Sequence, residues 1–569
     1  MNRLCLLTLL VLFAGCTNPA PTSSEDASTD APADTSALDA RPDVSPQQDL
    51  GSDVADQGFD LLADALADQP VDQAPDATAC DPSQDPTLST QRSAQINDLW
   101  QQVRPQLEAL LEPDALRATP YNLYNVQLHT ANLLFHIELY QDVALATSLA
   151  QLYDKAFDAL VLHDEAHFYF AQGSPRSSIH PLATPARMWT SPAAAGQSVG
   201  IESPLVSSQF LYAVARLVRL ISTMEAPSAE LVAFAQRAFP ILVQDHYERW
   251  AFAAPNQPGF FQRRGWGCAN GTFSHTQHLE NLLARAYGTP ALGRTSSLSY
   301  CNAVTDADIW IVAGVTEALE AHRRLPALGQ LSSARAQALR TYARLGVELV
   351  QARHDVQQIT HQGTSYEVAV FDRGAFDDHR DHSYAGFTQT EDTCIECVGR
   401  CTDTCDAFPG WKDDTDRTPR VQPQPVMGTG WDISHARRLP PVYDSLWRHR
   451  DLLGTTFPTK ESIAQLGRQL ALVVHQPNAS PPQWTNYFDG TNGWYRINYS
   501  NRAAFGFAPG AMTRYGSNCS YGFWRPLVPQ LDDAIKTAAP KASTNLYTRF
   551  QAALEDTQDS LFEPRCQTW

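Results

Sequence analysis

An all-α fold is predicted for residues 92–569: an (α/α) toroid of antiparallel helix pairs with long rim loops and a small β-hairpin element. Three observations carry the prediction. Apolar residues recur at helical spacing through most of this stretch. The segments so marked are often separated by only three to eight residues, which favours antiparallel neighbours. Three long intervening segments, 163–204, 355–431 and 476–525, are rich in Trp, Tyr, His and Gly, as functional loops gathered at one rim would be.

In chain order, helices are expected at 93–111, 121–140, 142–162, 205–224, 228–247, 275–287, 307–324, 332–354, 432–449, 461–475, 527–538 and 544–556. Ser228 and Ser332 stand where N-caps belong, and Ser274 stands before His275. No internal repeat is apparent, which disfavours a helical solenoid. Around 484–507, Asp489-Gly490 and Asn492-Gly493 read as turns. Tyr495, Ile497 and Tyr499 alternate with Arg496 and Asn498, so a short hairpin is expected there.

Before the helices lie an address and a tether. Residues 1–16, MNRLCLLTLLVLFAGC, join a short basic start at Arg3 to an apolar run too short to span a bilayer comfortably. Phe13-Ala14-Gly15-Cys16 resembles the lipobox of bacterial lipoproteins. That resemblance implies cleavage before Cys16, a lipid anchor on it, and residence in the bacterial cell envelope, at the outer membrane or cell surface. An ordinary secretory signal is the alternative. Residues 17–91 form an Asp/Pro/Ala-rich stalk. Between 17 and 79 there are fourteen acids against one base, Arg41. Like charges at four-residue spacing and repeated prolines oppose a helix, so an extended, solvated spacer is expected. No other stretch reads as long and apolar enough for a transmembrane helix.

The stalk also explains the charge. The whole chain carries −20, but only −8 remains for residues 80–569, too mild to define partners. A nucleic-acid partner is not expected, because no basic face is evident. Nucleotide-binding glycine motifs, a Gly-x-Ser-x-Gly elbow and EF-hand spacing are absent from the sequence.

Four constellations could carry chemistry. The first is Trp431-Asp432-Ile433-Ser434-His435-Ala436-Arg437-Arg438. Asp432 or Ser434 would cap a helix, and His435 would sit in its first turn, where the helix dipole disfavours imidazolium. Arg437 could hold a carboxylate or sulfate. The second packs His379, Asp381, His382 and Tyr384 into one loop. Tyr384 could act as acid or base, oriented by Asp381 or His382. No cofactor is expected, although His379-x-x-His382 with a carboxylate offers a divalent-metal alternative. The third places His275, a candidate substrate-binding residue, and His278 on one helix face, with Asp306 and Asp308 opening the next helix. The fourth is aromatic: Trp431, Trp494 and Tyr499 suit stacking on sugar rings, with Arg496 beside them for an acidic glycan.

Segments GWDISHARRL (430–439), DHRDHSYAGF (378–387) and NGWYRINY (492–499) resemble rim segments of the six-hairpin toroid carbohydrate enzymes, which include polysaccharide lyases and glycoside hydrolases. The resemblance implies a surface-anchored enzyme acting on a polysaccharide. For a lyase on an acidic glycan, His435, Tyr384 and His382 are the acid–base candidates, with Arg437 and Arg496 on the uronate. For a hydrolase, Asp381 and Asp432 are the paired carboxylates. A non-catalytic glycan- or partner-binding lipoprotein is the alternative from a different class. Oligomeric state is left open.

Beyond Cys5 and Cys16, nine cysteines remain, and in an exported protein pairing is the default. Two local disulfides are expected among Cys394, Cys397, Cys401 and Cys405, a zinc knuckle being the alternative. Cys80 could meet Cys566 if the ring closes. Nine is odd, so at least one cysteine is unpaired or pairs between chains.

Overall fold

The computed structural model describes residues 90–168, 180–193, 198–252, 274–284, 299, 302–329, 331–374, 376, 379, 381–390, 408–410, 418–424, 426–497, 506–513, 521–538 and 546–555. The signal, Cys16, the stalk up to residue 89, all nine remaining cysteines and Tyr499 lie outside them; Thr90 and Gln91, expected in the stalk, open the first helix.

The described chain is mostly helical, with small sheets. The helices are α1 (Thr90–Leu111), α2 (Pro113–Ala118), α3 (Asn122–Tyr140), α4 (Val143–Phe157), α5 (Pro204–Thr223), α6 (Ala229–Pro240), α7 (Glu248–Ala251) and α8 (His275–Leu283). They continue as α9 (Asp306–Arg324), α10 (Ser333–Ala352), α11 (Ile433–Ala436), α12 (Leu439–Arg448), α13 (Arg450–Leu453), α14 (Lys460–Gln469), α15 (Leu531–Ala538) and α16 (Leu546–Glu555). The strands are β1 (Val161–Phe168), β2 (His180–Met188), β3 (Ile201–Glu202), β4 (His354–His361), β5 (Thr364–Phe371), β6 (His475–Gln476) and β7 (Gln483–Trp484).

Caps set many of the helix starts. Asp142, Ser228 and Ser332 each accept a backbone N–H three residues on, and Ser274 and Thr305 complete capping boxes with Gln277 and Asp308. Each such cap is worth about 1 kcal/mol. Pro240 ends α6 because it has no N–H for the carbonyl four residues back. The chain widens there into a π-helical stretch, Ile241–Tyr247.

The centre of the fold is α5, which packs along α9 and against α3. Its faces are buried nearly all round. Gly314 of α9 lets the Tyr247 side chain approach; a Cβ there would collide with the hydroxyl. Helix α1 packs on α4 and on α16, so the two ends of the described chain meet. Trp100 stacks on Phe550, and Arg92 donates to the Ala553 carbonyl at 2.8 Å.

Three expectations need correcting. Helix α5 is long and apolar enough to cross a membrane by length and composition, yet 89% of its apolar window is buried inside the protein. It also carries Arg216 and Arg219, which enter ion pairs with Glu138, Glu317 and Asp444. The segment expected as one helix at 432–449 is two, α11 and α12, because Pro440 and Pro441 suit a fresh first turn. Strands also occur where loops were expected. β1 pairs antiparallel with β2, and β4 with β5 through a Gln362-Gly363 turn with φ of 49° and 81°. Within the hairpin expected near 484–507, Tyr495 and Phe507 form an antiparallel bridge, and residues 498–505 lie outside the described residues.

Candidate functional site

Five separate stretches of chain, the first being Leu205 at the start of α5, border one cleft with a cavity volume of about 100 Å³. The start of α9 contributes Asp306; the segment after β5 contributes Arg373, Phe376, Asp381 and His382. Asp432 and His435 come from α11, and Tyr495 with Arg496 from the loop beyond β7.

Backbone bonds register these stretches. The Val304 N–H donates to the Arg373 carbonyl at 2.6 Å, tying the α9 entrance to the end of β5. Asp432 bridges Tyr487, and Phe488 N–H donates to the Trp431 carbonyl at 2.8 Å. Buried Asn486 braces the last loop: its amide donates to the carbonyls of Gly493 and Ala508, and its oxygen accepts from Met512 N–H. Gly493 is required because a Cβ would strike the Ala385 carbonyl.

The chemistry centres on His435. Its Nδ1 lies 2.7 Å from Asp432 Oδ2, an ion-pair contact bent from the linear hydrogen-bond direction. Asp432 Oδ1 accepts from the Ser434 N–H at 3.2 Å and from its hydroxyl at 2.5 Å. Burial opposes charge on Asp432, but the His435 ring, Arg496 and the Ser434 hydroxyl outweigh it and hold the carboxyl well below its ordinary range. Burial lowers His435; Asp432 pulls the other way, and Arg438 adds to the lowering. An ionised Asp432 therefore faces a neutral imidazole whose proton belongs on Nδ1, leaving Nε2 basic. Because α11 is a single turn, its dipole is too short to account for this; burial and Arg438 do.

Arg496 Nη2 lies 3.4 Å from His435 Nε2, while its Nε donates to Asp381 Oδ2 at 2.9 Å. The Arg496 backbone N–H also donates to the Asp381 carbonyl at 3.1 Å, and its φ is 52°. The Tyr495 hydroxyl is 3.4 Å from His435 Nδ1. Burial pushes that phenol well above its ordinary value, so it keeps its proton. On the other wall, Arg373 Nη1 is 3.5 Å from His382 Nε2. Burial, and then Arg373, hold His382 well below its ordinary value.

Of the residues singled out in the sequence, Asp306, Asp381, His382, Asp432, His435 and Arg496 share this cleft. Tyr499 lies outside the described residues, and the other described candidates do not line it. Tyr384 is buried with Phe408, Trp494 and Ile497. Trp431 packs on Phe371, and Trp494 donates its indole N–H to the Gln389 carbonyl at 2.7 Å. Both indoles are about 1% exposed, which leaves no face for a sugar. Arg437 donates to the Tyr124 hydroxyl at 2.9 Å. His275 is fully buried between Asp308, 2.8 Å away, and Tyr342, 2.6 Å away. His379 accepts the Asp381 N–H at 3.2 Å, and among the described residues no group of three His, Cys, Asp or Glu is disposed to hold a metal ion. Arg373 and Phe376 carry no motif that would have marked them. Tyr495 reads in the sequence only as one loop aromatic among several.

Searches against protein-family models, curated proteins and solved structures find no match to this chain.

Proposed function

We propose that the chain is a lipid-anchored carbohydrate-active enzyme of the bacterial cell surface. In this reading it is a polysaccharide lyase that cleaves an acidic glycan by β-elimination. The observation that carries the reading is His435: its Nε2 faces the Arg496 guanidinium while its Nδ1 is held by Asp432. Elimination beside a uronate needs a base next to a cation, because removing the C5 proton builds charge on the carboxylate. His435 Nε2 takes that proton. Arg496 neutralises the carboxylate. The electron pair forms the C4–C5 double bond as the C4–O4 bond breaks, and O4 receives its proton from Tyr495. The neutral imidazole and the protonated phenol suit those two roles.

A hydrolase reading, with Asp381 and Asp432 as the pair, is less well supported. One of the two would have to stay protonated, yet Asp432 is held strongly towards its ionised form and Asp381 is ion-paired with Arg496 at 2.9 Å. We also propose that the helices close as an (α/α) toroid, which the meeting of α1 with α16 favours. The test is product analysis on a panel of uronate-containing and neutral glycans. A product absorbing in the ultraviolet, formed without uptake of water, supports the lyase. A new reducing end without that chromophore would indicate a hydrolase. Glycan retention with no turnover would indicate a binding protein.

A further inference from the structure

Three carboxylates line the cleft, and two of them are committed. Asp381 accepts from Arg496 Nε at 2.9 Å. Asp432 holds Ser434 and His435. The third, Asp306 at the start of α9, is 6% exposed and takes no directed hydrogen bond from any described residue. Arg438 Nε lies 2.6 Å from its Oδ2, but that ion-pair contact is bent from the hydrogen-bond direction. Of its chain neighbours, Thr305 gives its hydroxyl to Asp308 Oδ2 at 2.8 Å, and Ala307 has no polar side chain.

Arg438 places Asp306 without satisfying it. Its Nη1 donates to the Ser434 carbonyl at 2.9 Å and its Nη2 to the Tyr124 hydroxyl at 3.1 Å. The guanidinium is thereby fixed to the turn that carries His435, and the carboxylate is registered with that turn. Asp306 is close enough to His435 to act on its charge. The α9 dipole and Arg438 explain why an acid stands here. They do not explain why it lacks a directed donor beside the base. A carboxylate only accepts hydrogen bonds, and a buried one with unmet lone pairs is costly. A ligand O–H would meet them. A second cation is not called for, because Arg438 already balances the charge.

We infer that Asp306 is a specificity residue: it accepts a hydrogen bond from an unsubstituted hydroxyl of the uronate whose C5 proton His435 removes. In a 1,4-linked uronan the glycosidic bonds occupy C1 and C4, so that hydroxyl is on C2 or C3. The glycan so selected is bare at that position. An O-sulfate there has no hydrogen to give and sets a second anion against the carboxylate. The inference rests on the uronate reading of the cleft and deepens it.

The test is calorimetric binding to the full chain carrying His435→Asn, so that no probe is consumed. The probes are a 1,4-linked tri-uronate and four forms altered alike in all three rings: 2-deoxy, 3-deoxy, 2-O-sulfated and 3-O-sulfated. At one of the two positions, loss of the hydroxyl should weaken binding about 10- to 100-fold, and sulfation should weaken it further. Adding Asp306→Ala should abolish both differences. Asp306→Asn keeps an acceptor oxygen, so it should keep part of the hydroxyl preference and lose the extra penalty of the sulfate. That variant decides the matter if the alanine variant does not fold. Were Asp306 there only for Arg438 and the helix start, its variants would weaken every probe by the same factor. Unmoved ratios of that kind overturn the inference, as does equal binding of the parent and both deoxy forms. Binding of no probe removes the glycan reading, and this inference with it. Ultraviolet product from the protein with His435 intact is scored separately, so the lyase reading and the role of Asp306 can fail independently.

Discussion

His435 Nδ1 lies 2.7 Å from Asp432 Oδ2, and Asp432 is also the N-cap of the one-turn helix that carries the histidine. One carboxylate thus holds both the turn and the ring. Oδ1 fixes the turn through Ser434, Oδ2 sets a negative charge against Nδ1, and the Arg496 guanidinium facing Nε2 leaves the ring proton on Nδ1. A shift in the cap would move the imidazole with it, so base and scaffold are coupled.

His435→Asn is expected to lower kcat about 10²–10⁴-fold with little change in Tm. Asp432→Asn keeps a cap oxygen but loses the charge that orients Nδ1–H, and should lower kcat by about 10²-fold or more. The pH profile separates the roles. Activity needs neutral His435, whose pKa burial lowers, so the rate should hold at neutral pH and fall only on acidification below the ordinary imidazole value of 6.5. Asp432 raises the histidine's pKa, so its removal should move that acid limb to still lower pH. An unmoved limb in Asp432→Asn would remove the carboxylate from the account.

The helices and the Asp432–His435 pair are legible in sequence for the same reason: each is local. Cap residues and helical apolar spacing act within one turn, and Trp431-Asp432-Ile433-Ser434-His435 folds into a site almost by itself. Arg373 and Tyr495 are not legible, because they reach the cleft through pairings with Val304 and Phe507, far away in the chain. The hairpin of β4 and β5 was readable in principle. Gln362-Gly363, both at positive φ, form the turn that two-residue hairpins favour, but the run around it looked like loop. Trp431 and Trp494 mislead because a Trp beside polar residues reads the same whether its face meets sugar or the core.

Arg496 pays for its place in backbone conformation. A non-glycine residue at φ 52° costs on the order of 1 kcal/mol. Arg496→Gly relieves that strain while losing the Nε bond to Asp381, so thermal stability should change by no more than about 1 kcal/mol. Activity on a uronate substrate should fall by about 10²-fold or more, because the cation beside His435 is gone. Scanning calorimetry alongside kcat/KM reads both; a large loss of stability would mean that the arginine is chiefly structural.

The core around α5 is ionic. Arg219 Nη1 donates to Glu138 at 2.7 Å and its Nε to Glu317 at 2.8 Å, while Arg216 Nη2 meets Asp444 at 2.5 Å. Arg219→Met should cost about 3–5 kcal/mol, because it strands buried carboxylates. Burial works to raise Glu138 and Glu317, but Arg219, with Arg448 on the first and His449 on the second, outweighs it and holds both below their ordinary value. Their contribution to stability is therefore present above the ordinary value of 4.5 and lost as pH falls through the lower folded values. In the variant the stranded glutamates take up protons more readily. The Tm gap between wild type and Arg219→Met should narrow on acidification towards about pH 4, and a constant gap would contradict this account.

His275 tests whether the buried His–Asp pair off the cleft has any part in turnover. It bridges Asp308 and Tyr342 at 2.8 and 2.6 Å. Loss of those bonds in His275→Ala should cost about 2–3 kcal/mol. A folded sample held well below its Tm should keep kcat/KM within about twofold of wild type. A selective loss of kcat in fully folded protein would restore His275 to the site.

Tyr495 decides between elimination and simple proton abstraction. Its hydroxyl lies 3.4 Å from His435 Nδ1, and burial keeps it protonated. Tyr495→Phe removes the donor but leaves the ring that packs on Phe507, so the fold should survive. If the phenol protonates the leaving oxygen, kcat on a natural glycan should fall about 10²–10⁴-fold. A substrate with a leaving group at C4 that needs no proton, such as fluoride, should be cleaved at a rate close to that of wild type. His435→Asn should be slow on both substrates, because the C5 proton must still be removed. Equal losses on the two substrates in Tyr495→Phe would show that the hydroxyl serves only to position His435.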